Sequence, residues 1–376
     1  MDFGLFNLMG YRAEGATTRE ILQDTVEKTK LADQGGMGVS WFAEHHFSNY
    51  GICGSPLMMA ATCAPQTKRI KLASGILVVP LYSPLRVAEE IAMVDSLSEG
   101  RLIVGVGTGY QPFEFDRFGV DLDKSKAIFD EYMEVIEQGL TNEFVEFEGK
   151  HISLPRTHIG ARPYNGPPPI WVAGHAPEVH RWAARRNYPM IVIGRFEPSE
   201  RVAAQRPYFE QLLTGAGHDA RTLRWGLLRH CCVTESKQEA LEFAEHARWQ
   251  LRVASALRRR KEVQVGHMIM GNEPIPNEGS IDDILSTQMI GGVQHCIERG
   301  VEEIKRTGAF HIALFFQIGG FSPAKSTKSL ELFMTRVIPG IEKELGPLSK
   351  VNVLPADTSA GVETKGLLRL DPTAAR

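Results

Sequence analysis

The chain has 376 residues, with 42 basic and 45 acidic side chains, a net charge of -3 and 43% hydrophobic residues, enough to bury a large core. The near-balanced charge argues against a nucleic-acid partner, and no apolar run is long enough to cross a bilayer as a helix. Five cysteines without a pairing pattern fit a reducing compartment, and strand-like Phe3-Gly4-Leu5-Phe6 leaves no room for a signal peptide, so a cytoplasmic location is expected.

Phe3 to Leu8 reads as the first strand, and Thr17 with Glu20 forms a capping box that opens a helix running to about Asp33. After Gly35-Gly36, the short run Val39-Ser40-Trp41-Phe42 reads as a buried strand. Directly behind it stand Glu44, His45 and His46, followed by a loop. Catalytic groups of parallel α/β folds collect at strand C-termini, where the loops converge on one face. The plain alternatives are a structural Glu44–His45 pair or solvated histidines. A metal is not expected, because adjacent histidines on a strand point to opposite faces.

Ser55-Pro56 caps a second helix, Ile70 to Val79 is one continuous apolar strand, and Ser83-Pro84 opens a helix over Leu85 to Leu97. Leu102 to Val106 is the fourth strand. It continues into Gly107-Thr108-Gly109-Tyr110, where low bulk lets a ligand approach the backbone. The glycine spacing is not that of a dinucleotide loop, and no prompt helix is expected after it. Lys126 to Leu140 is helical, and Phe144 to Ile152 alternates around Gly149-Lys150 as an inserted hairpin.

Ile170 to Ala173 is the fifth strand. Ala173-Gly174-His175-Ala176-Pro177 then enters a helix whose free N–H groups suit an anion, with a plain βα turn as the equal alternative. Met190 to Gly194 is the sixth strand with Arg195 at its end, Pro198 to Leu213 is helix, and Leu223 to Val233 holds the seventh strand. A long helix spans Lys237 to Leu257. Residues 258–288 then lack a sustained period, as lids or disordered segments do, and the cluster Arg258-Arg259-Arg260-Lys261 is a solvated face or a cover for an anionic cofactor. Val293 to Arg306 is helix, Ala309 to Gln317 the eighth strand, and Ser329 to Leu345 the last helix. Eight strands alternating with helices predict an α/β fold, a (β/α)₈ TIM barrel with insertions.

Several pieces carry a family resemblance: Phe3-Gly4-Leu5-Phe6, Glu44-His45-His46-Phe47 with Gly51 and Gly54, Val79-Pro80 before Ser83-Pro84, and Asp95 with Ser98-x-Gly100-Arg101. Gly105-Val106-Gly107-x-Gly109 and Trp182 to Met190 continue the series in the same order. The chain resembles the bacterial luciferase-like, flavin-dependent monooxygenases up to about Leu345. The resemblance implies one domain over residues 1–345, with an insertion at about 143–168, a lid at about 258–288, and a 346–376 tail ordered only in part.

It further implies reduced FMN delivered by a separate NAD(P)H:flavin reductase, O2, an oxygen adduct at flavin C4a, oxygenation of a small organic substrate, and a homodimer. His45 takes the catalytic position, with Glu44 beside it in support of the loop. A cis peptide at Gly75-Ile76 lies under the ring. The phosphate falls to the loops after strands 4 and 5, with Thr108, Gly109, Ala173, Gly174, His175 and Ala176. Thr108 stands where the luciferase α subunit has a phosphate arginine, Gly107 replaces its reactive cysteine and His175 a glutamate, which leaves phosphate affinity to Arg195 or the lid. The rival readings are an F420-dependent oxidoreductase and a flavin-binding protein without turnover.

Overall fold

The computed structural model describes residues 1–12, 15–194, 196–276 and 278–352. Short β-branched and aromatic runs form eight strands: β1 Asp2–Asn7, β2 Val39–Phe42, β3 Lys71–Ser74, β4 Leu102–Gly107, β5 Ile170–Ala173, β6 Met190–Ile193, β7 Trp225–Val233 and β8 His311–Phe315. Each pairs in parallel with the next, and Asp2–Leu5 against His311–Leu314 closes the ring. Helices on the outside bury the other strand face, as a (β/α)₈ barrel requires.

Strand alternation divides the core in two. In β4, Leu102, Val104 and Val106 meet the helices, while Ile103 and the glycines between them face the barrel axis. On the axis Trp41 packs edge-on against Trp171 at 5.2 Å, and its indole N–H donates to His311 Nε2 at 2.9 Å. The other nitrogen of His311 bonds Asp2. A Cβ at Gly4 would lie 2.7 Å from the His311 ring, so the lower half of the barrel is filled.

Several motif residues act at that N-terminal end. Asp33 accepts from the N–H groups of Lys68, Arg69 and Ile70, which hold its carboxyl low and anchor the start of β3. Arg101 donates to Thr67 Oγ1 and to the carbonyls of Ala64 and Ile70, and Asp95 receives the Tyr164 N–H. Arg186 and Tyr188 both bind Glu137. These contacts stitch the loops at the N-terminal end of the barrel, away from the face where catalytic groups collect.

Several expectations are corrected. The run from Ile70 to Val79 is not one strand: β3 stops at Ser74, the Gly75–Ile76 peptide is cis, and Leu77–Val78 pairs separately with Val106–Gly107. A helix does follow the glycines of β4, Pro112–Phe118, with proline at its first position and a left-handed Gly119 behind it. The helix after β6 is two, Ser199–Ala203 and Arg206–Gly215, and the last helix begins at Pro323 and passes through a π turn at Phe333–Val337.

Residues 258–288 hold secondary structure of their own. Val263–Val265 pairs with Met268–Met270 around a left-handed Gly266, and Ile281–Thr287 is a helix capped reciprocally by Ser280 and Asp283. Three-residue strands are too short to display a period, which is why the sequence hides them. The inserted hairpin forms as Phe144–Glu148 against Ser153–His158. Of the tail, residues 346–352 fold back, and the terminal ammonium of Met1 donates to the carbonyls of Leu348 and Val351. Among the described residues no helix is long and apolar enough to cross a membrane.

Candidate active site

The uppermost inward-facing residues fall into two arcs. On β2 to β5 they are Ala43, Gly75, Gly107 and Ala173, all small. On β6, β7, β8 and β1 the larger inward-facing residues near that end are Ile193, His230, Phe315 and Phe6. Ile193 is 37% exposed although it belongs to a barrel strand and follows the alternation of inward-facing Ile191. An exposed apolar side chain on the inner face marks an open mouth at the C-terminal end. The small arc gives that mouth its width, and a Cβ at Gly107 would stand 2.4 Å from the Ile76 side chain and 2.6 Å from the Ala173 carbonyl.

His45 stands at the same C-terminal end of the barrel, on the loop leaving β2. Its Nδ1 is 2.9 Å from Glu114 Oε1, and the same oxygen accepts the His46 backbone N–H at 2.9 Å. A carboxylate accepts only, so the bond assigns a proton to Nδ1 and leaves Nε2 as the nitrogen that takes or gives one. Tyr50 meets the ring edge-on at 4.6 Å, and Tyr110, whose hydroxyl burial pushes up, stands 6.2 Å away.

His46 turns elsewhere. Its Nε2 is 3.0 Å from Glu44, and its ring packs on Phe47 and Phe118. Glu44 is buried and also accepts from the Val78 N–H at 3.1 Å and the Tyr82 hydroxyl at 2.7 Å. Burial raises its carboxyl, opposed by the bonds from His46, Tyr82 and Val78. Its partners are His46, Val78 and Tyr82 and not His45, so Glu44 ties β2 to the turn after β3.

Glu114 was missed by sequence reasoning because its helix was. The signal was present: Gln111-Pro112 reads as an N-cap position followed by a first-turn proline. Glu114→Gln is expected to present an amide N–H to Nδ1, drive the proton to Nε2, and lower kcat by about 10²-fold, within the range of a positioned acid–base group. KM for the substrate should hold, which steady-state kinetics of both forms would check.

The other expected residues share this end of the barrel. Thr108 and Gly109 follow β4, with Gly109 in a left-handed turn against Val78 and Phe115. Gly174, His175 and Ala176 follow β5 and lead into the helix Pro177–Arg185, whose N-cap Ala176 offers no side-chain cap. His180 Nε2 bonds the Gly174 carbonyl at 2.9 Å, and Lys126 and Arg181 lie by the first turn on Glu178. Arg195 lies outside the described residues. Two members of the basic cluster reach the loop and helix after β4: Arg260 pairs with Asp116, and Arg258 lies 5.7 Å over the Tyr110 ring.

The hairpin Val263–Met270 sits close to the same loop. Asn49 Oδ1 accepts the Ile269 N–H at 2.7 Å, and its amide donates to the carbonyls of Ile269 and Tyr11. Among the described residues no group of three or more His, Cys, Asp or Glu is placed to hold a metal. Three polar atoms here are buried and lack a partner among the described residues: Gln111 Oε1, Ser48 Oγ and His230 Nδ1.

The family model described as luciferase-like monooxygenase matches residues 1–311. The chain belongs to that family. An uncharacterized protein y4vJ of Sinorhizobium fredii is 33% identical over 92% of this chain and 99% of its own. The oxygenase component of a flavin-dependent trigonelline monooxygenase of Acinetobacter baylyi is 30% identical over 64% and 67%. The FMN-bound oxygenating constituent of 3,6-diketocamphane monooxygenase from Pseudomonas putida shares the fold at TM-score 0.71 and 20% identity, over 91% and 98%. A coenzyme F420-dependent tetrahydromethanopterin reductase of Methanopyrus kandleri shares it at 0.66 and 20%, over 90% and 99%.

His230 adds a pH dependence to this luciferase-like site. Burial, then Arg229, pushes its imidazole down to about 3. Its folded value therefore lies below its unfolded one, so the stability it contributes is complete above about pH 6.5 and is lost as pH falls toward 3. His230→Phe is expected to remove up to about 1.4 kcal/mol per pH unit of acid sensitivity in that window. Denaturant midpoints at pH 7 and 4.5 check it.

Proposed function

We propose that this luciferase-like protein is the oxygenase of a two-component system. It takes reduced FMN from a separate NAD(P)H:flavin reductase and uses O2 to oxygenate a small organic substrate. The observation that carries this reading is a small-residue arc at the end of the barrel that also holds a histidine whose proton is fixed by a buried carboxylate. The residues fit the cofactor: the arc from Ala43 to Ala173 accepts a flat ring, and Gly75, Ile76, Thr108 and Gly109 would border it. The uncapped turn Gly174–Ala176 would receive the phosphate.

Bound reduced flavin supplies the electrons and activates oxygen. The chain's own residues do the rest. His45 Nε2 gives or takes the proton that oxygen transfer requires, with Glu114 holding the ring. The hairpin held by Asn49 and the aromatic arc keep water from the mouth, which favours product over hydrogen peroxide. Met58, Met93 and Leu97, exposed on the helices Pro56–Cys63 and Pro84–Leu97, offer a face for a second copy in a homodimer.

The chain with added FMN is expected not to oxidise NADH at an enzymatic rate until a flavin reductase is added. NADH consumption by the chain alone would sink the two-component reading. Hydride transfer with F420 is the second reading, favoured by the fold shared with the Methanopyrus reductase. The absorption spectrum of protein reconstituted with both cofactors separates the two.

A further inference from the structure

The helix Pro112–Phe118 brings two side chains to one nitrogen of His45. Gln111 is its N-cap residue and Glu114 its third helical residue, a spacing that brings them together across the first turn. Glu114 Oε1 lies 2.9 Å from His45 Nδ1, and Gln111 Nε2 lies 3.4 Å from the same atom. The carboxylate can only accept a hydrogen bond there, and the amide nitrogen can only donate one. Nδ1 therefore has a partner whether or not it carries the proton.

The donor is held in place. An amide nitrogen has two N–H groups. One of those on Gln111 goes to the Tyr110 hydroxyl oxygen at 3.1 Å. That hydroxyl is bonded in turn to Tyr50, whose ring packs edge-on against His45. The other N–H faces Nδ1. Gln111 is fully buried, and its Oε1 has no partner among the described residues. A buried amide oxygen without a partner costs free energy, so this orientation is kept by what the nitrogen touches.

We infer that Gln111 is a positioning residue for His45: it supports the neutral tautomer with the proton on Nε2, beside the one with the proton on Nδ1 that Glu114 supports. The uncharged ring then offers either a lone pair or an N–H at Nε2. With Glu114 alone, Nε2 is a bare acceptor until the ring becomes cationic. A neutral imidazole N–H polarises an oxygen without adding a charge to the site. The Nδ1–H form remains the larger population, because its bond is shorter and is made to a carboxylate. That difference in bond strength leaves the Nε2–H form at roughly a tenth of the ring. The inference rests on the oxygenase reading only for which oxygen Nε2 meets, since the tautomers belong to the chain itself.

The test is NMR of the labelled ring nitrogens in the full chain without flavin, with the His45 signals assigned by their loss in His45→Ala. Their shifts report how the proton is divided between the two nitrogens, read on the neutral side of a pH titration. The native chain is expected to carry the proton on Nε2 in roughly a tenth of its molecules. Gln111→Met keeps the length without the N–H and should cut that share by about three- to tenfold, the loss of one hydrogen bond. Tyr110→Phe, which frees the amide, should act in the same direction and stands in if the Met variant does not fold. Glu114→Gln should move the proton the other way, to Nε2. A side chain that only fills space would leave the division as it is. An unchanged share in Gln111→Met, or in Tyr110→Phe where that stands in, overturns the inference, as does a native ring with no proton on Nε2. Failure of the native chain to bind FMN would instead count against the proposed function, because the flavin-free spectrum still decides the tautomers.

Discussion

His45→Ala is expected to lower product formation by about 10²–10⁴-fold, the usual contribution of a positioned acid–base group. FMN should still bind, because Gly75, Thr108 and the Gly174 turn lie on other loops of the mouth. Released hydrogen peroxide should rise as oxygen transfer fails. His46→Ala should lose much less product, since its ring packs on Phe47 and Phe118 and its nitrogen binds Glu44 under the loop. Its cost should appear in thermal stability. Product and peroxide are measured for both variants with a reductase supplying reduced FMN. An inactive His46 variant, or full coupled turnover by the His45 variant, would refute the assignment.

The largest effect on stability is expected at Glu303. Its carboxylate pairs with Arg229 Nη2 at 2.7 Å and receives the Ser199 hydroxyl at 2.8 Å, with both ionic side chains almost fully enclosed. Glu303→Ala leaves the guanidinium buried without its counter-charge, which costs about 3–5 kcal/mol. Arg229 also donates to the carbonyls of Gly194 and Glu197, so the loop carrying Phe196 should slacken with it. Glu90→Ala, which breaks the surface pair with Arg86, should cost under about 1 kcal/mol. Denaturant unfolding of both variants provides the comparison, and equal midpoints would show that the buried pair is not holding the strands to their helices.

Much of this architecture was legible because its signals are local. Thr17 with Glu20 forms the reciprocal cap the spacing implies, and Ser55 accepts from the Met58 N–H as a cap ahead of a first-turn proline should. The strands were legible because a buried parallel strand is a short apolar run between turns. What escaped depends on contacts distant in sequence. Nothing near Glu114 says that it meets His45, 69 residues earlier. Its helix is one of seven residues in which glycine, proline and aromatic neighbours mask the period. The row formed by Phe6, Phe315 and His230 joins three strands from both ends of the chain, so no window of sequence contains it. Glu44 was legible as important, but its partners, Val78, Tyr82 and His46, appear only once the loops are folded.

The filled lower barrel has a consequence for traffic. Trp41, Trp171 and His311 stop the axis from below, so nothing passes through the molecule from one end to the other. On the proposed reading, cofactor, oxygen, substrate and product share one doorway, and whatever arrives last stands in front of whatever arrived first. On that reading, a flat cofactor seated against the small arc enters before the substrate that stands over it. Order of arrival becomes a property of the barrel's shape, and a large excess of substrate is expected to slow the reaction by standing in the doorway ahead of the cofactor.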